Sequence, residues 1–204
     1  MCIRDSFNPA FRAAAAEIQR PLFLQAERLA PLIHILPGAS APPTDVILDL
    51  MIHDLDLVHA LVEGEVTEVR AVGAPVISPH ADMAHVRLEF DGGAVAVLAA
   101  SRASPRPART LRVFGPQGYW SMDLLERRAH RCGRTGTPPV LDLASLDVPG
   151  AEDALVAQHT AFLDGVRRGA PAGGEALSRT VAAHRVAFQV VRAIEGGLRR
   201  WLGS

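Results

Sequence analysis

The run Val46-Ile-Leu-Asp-Leu-Met-Ile-His-Asp-Leu-Asp-Leu-Val58 is aliphatic or Met except at Asp49, His53, Asp54 and Asp56. Thr44 or Asp45 can cap a helix over it that runs to about Val62, and Gly64 can close that helix. A helix apolar on most of its sides is buried. At about 100° per residue, Asp49, His53 and Asp56 fall within an arc of about 60°. This narrow polar stripe must face a cleft or find internal partners, because an unpartnered buried carboxylate is too costly.

Before this helix, Asn8 and Pro9 open a short helix over residues 10–19. Residues 21–30 alternate as a strand, and 37–43 form a loop. After it come β-type segments over 66–76, 83–90, 94–101, 110–114 and 119–124, with hairpin turns at Asp91-Gly92-Gly93 and at Gly115-Pro116-Gln117-Gly118. The basic stretch 127–134 adds an edge strand. Beyond Pro149 the period turns helical over 152–168 and 174–202. The last helix is expected to lay Val181, Phe188, Val191, Ile194 and Leu198 on the sheet. The pattern predicts an α+β fold: an open, largely antiparallel sheet with helices packed on one face. Residues 1–6 show neither periodicity nor turn chemistry and are set apart as a non-native or disordered start. Residues 7–204 read as one domain, with no repeat and no internal boundary.

The net charge of −1 argues against a general polyanion binder, so nucleic acid is not an expected partner. No stretch approaches the apolar length of a membrane span, and none is expected. Two cysteines outside any CxxC pair point away from a disulfide framework and towards a reducing, cytoplasmic setting.

Asp49 and His53 are spaced i,i+4, so their side chains are expected to meet. A carboxylate beside an imidazole fixes its tautomer and readies it to take a proton near neutral pH, which is what removing a hydroxyl proton during alcohol oxidation requires. The same pair could instead only pin the helix, and the pattern alone leaves both open.

Asp49-Leu-Met-Ile-His53-Asp54-Leu-Asp56 resembles the Asp-x-x-x-His motif of the glucose–fructose oxidoreductase/inositol dehydrogenase/rhizopine catabolism (Gfo/Idh/MocA) family. Phe7-Asn8-Pro9-Ala10, Glu27-Arg28-Leu29-Ala30-Pro31 and Leu111-Arg-Val-Phe-Gly115 through Gly118-Tyr119 match in order and spacing. The resemblance covers essentially the whole chain after Ser6. It implies a C-terminal domain that holds a sugar and builds a homo-oligomer through its open sheet, behind a Rossmann domain that binds NAD or NADP. It also implies His53 as general base and Asp49 as its aspartate partner. The family's Glu-Lys-Pro lysine has no counterpart, since the chain has no lysine, and no Gly-x-Gly-x-x-Gly follows a strand. The resemblance therefore implies half of a sugar dehydrogenase, inactive alone. Leu50-Met-Ile-His-Asp-Leu-Asp56, the Phe-Asn-Pro-Ala opening and Ala100-Ser101-Arg102 look most like bacterial members that oxidise the 3-hydroxyl of UDP-N-acetylglucosamine. The reading from another class is a non-catalytic oligomerisation or sugar-binding module.

Arg28 and Arg102 are the candidates to contact a substrate diphosphate, where a forked guanidinium helps, and Asp56 is a further substrate-binding candidate. His80, Asp82 and His85 have the composition of a metal cluster, and with His53 they would suit a metal-dependent hydrolase. Alternation sends His85 to the opposite strand face from Asp82, so they are read as loop and strand residues, and no metal is expected. Tyr119 and Trp120 could line a subunit interface.

Overall fold

The computed structural model describes residues 4–31, 44–135, 140–148, 153–169 and 174–203. One 3-10 turn, Asp5–Phe7, leads into α1 (Pro9–Ala15), whose first amides are capped by Asn8 with Pro9 at the first helical position. β1 (Phe23–Pro31) follows. A π turn, Ile47–Met51, then runs directly into α2 (Ile52–Leu61). The strands come next: β2 (Val66–Ala74), β3 (Met83–Phe90), β4 (Val95–Ser104), β5 (Ala108–Gly115), β6 (Gly118–Asp123), β7 (Arg128–Thr135) and β8 (Val140–Ser145). The chain closes with α3 (Ala154–Arg167) and α4 (Gly174–Leu202).

The strands form one open sheet in the order β2-β3-β4-β1-β5-β6-β7-β8, with β1 parallel to β4 and every other pair antiparallel. β4 alternates along its whole length. Ala96, Leu98, Ala100 and Arg102 turn inward, while Val95, Val97 and Ala99 lie half-exposed on the other face. The inward face is covered by α1, α2 and α4, so the fold is the expected α+β arrangement with helices on one side.

Local chemistry explains the boundaries. Asp45 accepts the Ile47 and Leu48 amides at the start of the π turn. Gly64, at φ +100°, turns the chain out of α2 beside Asp91, where a Cβ would collide with the Asp91 carboxylate. α1 stops four residues before the expected Gln19: past Ala15 the chain tightens into a turn in which the Glu17 and Ile18 amides both donate to the Ala14 carbonyl.

Several expectations are corrected. The basic strand β7 is not the edge, because β8 pairs outside it. α4 buries Ala183, Val186, Ala187, Val190 and Ile194, whereas Val181 and Phe188 face solvent. The inner stripe is small because α4 approaches closely: a Cβ on Gly73 of β2 would lie 2.9 Å from the Ile194 side chain. Trp120 is a core residue whose indole donates to Glu17, while Tyr119 lies across the sheet stacked on Phe114. The loop expected over 37–43 lies outside the described residues. Among the described residues no helix is long and apolar enough to cross a membrane.

Candidate active site

β1 supplies the floor of the site and α2 its roof. Arg28 points inward from β1 and is almost wholly buried. Its Nε and Nη2 donate to both oxygens of Asp54, at 2.9 and 2.8 Å, and Nη2 also donates to Asp5 at 3.0 Å. This forked pairing is the geometry a guanidinium offers a carboxylate. Burial disfavours the Arg28 charge, but Asp54 and Asp5 more than compensate and hold the guanidinium protonated.

The second Asp5 contact decides the chemistry. Asp5 Oδ2 lies 2.9 Å from His53 Nδ1. The ring N–H is not aligned on that oxygen as in a well-formed hydrogen bond, although the two atoms lie within hydrogen-bond distance. Burial raises the Asp5 pKa, but the His53 ring and the Arg28 guanidinium outweigh it and hold the carboxyl well below the usual carboxylate range. An ionised Asp5 favours the His53 tautomer with its proton on Nδ1. The lone pair then sits on Nε2, on a side chain that keeps 22% of its surface exposed.

Asp49 is not brought to His53. The i,i+4 expectation assumed an α-helix, but Asp49 lies in the π turn, whose wider winding rotates it off the His53 face. Its side chain is 47% exposed and receives one long bond, 3.4 Å, from Arg102. Asp56 is completely buried and accepts from Arg179 of α4 at 3.1 Å, while Arg179 also donates to Ser6. Burial raises the Asp56 pKa, only partly offset by Arg179, and its Oδ2 has no partner among the described residues.

Arg102 lies in a separate cluster. Its Nε donates to Asp82, and Nη2 donates to the Thr44 and Ala81 carbonyls. Asp82 also accepts the Val76, Ile77 and Ser78 amides and the Ser78 hydroxyl. Burial raises the Asp82 pKa, but these donors overcome it and hold the carboxyl far below its ordinary value. Both arginines proposed for a substrate diphosphate thus already hold carboxylates of this chain. His80 and His85 are exposed, on turn and strand, away from the inward Asp82 carboxylate.

Asp5 and Arg179 were missed as site residues. Asp5 lies in the six residues set apart, yet residues 4–6 are ordered in the fold and Asp5 is buried. Arg179 carried a readable signal: it stands four residues before Ala183 and seven before Val186, on the stripe that α4 buries. A hollow of about 1150 Å³ lies at the far end of α2, lined by His59, Glu63 and Arg179 among others. Neither Asp5 nor His53 lines it, and the exposed side of His53 lies outside this hollow.

Residues 39–121 match the family model for the GFO/IDH/MocA C-terminal domain. The chain is 39% identical over 194 residues to the UDP-N-acetylglucosamine 3-dehydrogenase of Acidithiobacillus ferrooxidans, covering 88% of this chain and 56% of that enzyme. It therefore spans little more than half the length of that relative. A solved structure of the Acidithiobacillus enzyme superposes with a TM-score of 0.82 at 34% identity, over 95% of this chain and 60% of that one. Levoglucosan dehydrogenase in complex with NADH and levoglucosan shares the fold, with a TM-score of 0.78 at 15% identity over 96% of this chain and 64% of that one. By motif order, identity and fold together, the chain belongs to the GFO/IDH/MocA family through its C-terminal domain.

Proposed function

We propose that this chain is the substrate-binding and catalytic-base half of a nicotinamide-dependent oxidoreductase that oxidises a sugar hydroxyl, the sugar being carried on a nucleotide as in UDP-N-acetylglucosamine. The observation that carries the reading is the array Asp54–Arg28–Asp5–His53. It holds one imidazole nitrogen against an ionised carboxylate and leaves the other free on the partly exposed side. His53 Nε2 takes the hydroxyl proton, and Asp5 stabilises the imidazolium that forms. Arg28 keeps Asp5 ionised and in place.

The starts of α1, of the π turn into α2 and of α3 offer no cradle for NAD or NADP, because their first amides are taken by Asn8, Asp45 and Asp153. The reading therefore requires a nicotinamide held by another domain, with this chain inactive alone. The apolar stripe Val95, Val97 and Ala99 on the uncovered sheet face supports a homo-oligomer built there. One observation favours a non-catalytic sugar-binding or oligomerisation module instead: the Arg28 donors are satisfied within the chain, as in a purely structural ion cluster.

The two readings separate on His53→Ala. With the chain joined to the nicotinamide-binding half of the Acidithiobacillus relative, reduction of NAD(P) by UDP-N-acetylglucosamine is followed at 204-residue-chain wild type and variant. The catalytic reading expects kcat to fall by about 10²–10⁴-fold with little change in melting temperature. Normal kcat in a folded variant overturns it.

A further inference from the structure

The floor beneath His53 holds two arginines. In the antiparallel register of β1 and β5, Arg28 stands directly opposite Arg109. β5 turns Leu111 and Val113 inward, and alternation places Arg109 on that same helix-covered face, half-buried. Like charges directly opposite on neighbouring strands destabilise a sheet unless something answers them. Arg28 is answered by Asp5 and Asp54. Arg109 is not: among the described residues its side chain makes no hydrogen bond and no ion pair. The charged groups acting on it are Arg28 and Arg4, which repel it, and Asp5 and Asp54, whose carboxylates already hold Arg28. Arg28, Arg109 and Arg4 against Asp5 and Asp54 leave this corner one positive charge in excess while His53 is neutral.

We infer that Arg109 receives a phosphate oxyanion of the molecule that reaches His53, an inference that rests on His53 as the reacting centre. A half-buried guanidinium with no partner has its fork free for two oxyanion oxygens. Burial, then the Arg28 charge, lowers the Arg109 pKa, which is the penalty an arriving anion would relieve. This differs from the expectation for Arg28 and Arg102, whose forks are taken. The oxyanion can come from a nucleotide-sugar diphosphate or from a dinucleotide cofactor, and binding separates these sources.

The test is calorimetric titration of the full chain with uridine diphosphate and, separately, with NAD. Saturable binding of either is expected, with Arg109→Gln weakening it at least about tenfold, the size of one lost charge-assisted hydrogen bond. Arg109→Lys, which keeps charge but not the fork, is expected to fall between and serves as the readout if Arg109→Gln does not fold. Arg112→Gln, exposed on the opposite face of β5, should stay within about twofold. Loss confined to uridine diphosphate assigns the oxyanion to substrate, and loss confined to NAD assigns it to cofactor. Equal affinity in folded Arg109→Gln and wild type for both, or no binding of either at millimolar concentration, overturns the inference. Proton transfer is read separately, as kcat of His53→Ala in the joined enzyme, so failure of that reading is seen apart from failure of this one.

Discussion

Two buried arginine clusters sit under the same sheet-and-helix roof, and they differ in what they leave undone. Around Arg102, the Asp82 carboxylate takes three amides, a hydroxyl and the guanidinium Nε, and the remaining Arg102 donors reach carbonyls and Asp49. Around Arg28, the pairing with Asp54 and Asp5 is as tight, but it adjoins a histidine with one nitrogen free and a second arginine without a partner among the described residues. A saturated cluster has nothing left to offer a ligand and fixes geometry. An unsaturated one keeps a proton acceptor and a positive charge available. The Asp82 cluster ties together the loop before β3, the end of β4 and the entry to α2, whereas the Arg28 cluster is the one proposed for chemistry.

The contrast breaks most visibly at Asp82. Asp82→Ala strips three amides and a buried guanidinium of their acceptor at once, and about 3–5 kcal/mol of stability should go with it. For a chain of this size that is a fall of about 10 °C in melting temperature. His53→Ala should leave the melting temperature nearly unchanged. The sign of the pH dependence follows from the lowered pKa of Asp82: its stabilisation is complete above the ordinary value of 3.8 and is lost as the pH falls below it. In denaturant titrations at stepwise lower pH the midpoint should therefore fall steeply in wild type and less in Asp82→Asn. An acid profile that Asp82→Asn leaves unchanged would remove Asp82 from its scaffolding role.

A smaller effect sharpens the comparison at Asp56, which lies between the two kinds of behaviour. Burial raises its pKa, so ionising it costs stability as the pH rises through that raised value. Asp56→Asn removes the cost and still offers an oxygen to Arg179. The expected change at neutral pH is within about 1 kcal/mol of zero, on the stabilising side. A loss of several kcal/mol in the same denaturant titration would mean that the Arg179 pair carries more than burial takes away.

Much of this was legible. Turn residues at Asp91-Gly92-Gly93 and Gly115–Gly118 and alternation in β3 and β4 specify the hairpins, and the aliphatic run around His53 specifies the buried helix. β8 was not seen because an edge strand buries little: Val140 and Leu143 stay exposed, so no inward alternation marks it. On α4, Val191, Ile194 and Leu198 pack on the core as expected, but Val181 and Phe188 face outward, because the rest of the inner stripe uses alanines for close packing on α2 and β2. His53 and Arg28 were legible as candidates from the matching segments, although Arg28 holds Asp54 and Asp5 rather than offering its fork to a diphosphate. The partner of His53 was not, since nothing in Ile47–Met51 announces a π turn, and residue 5 lies far from the helix in sequence.

The most direct measurement compares Asp5→Asn with Asp49→Asn for kcat, in the same joined enzyme and with melting temperatures on the same samples. If the π turn has moved the partnership from Asp49 to Asp5, Asp5→Asn should lower kcat by about tenfold or more, by misorienting the base rather than removing it. Asp49→Asn, half-exposed and away from the ring, should stay within about twofold. A large loss of kcat in Asp49→Asn with Asp5→Asn unaffected would contradict the account.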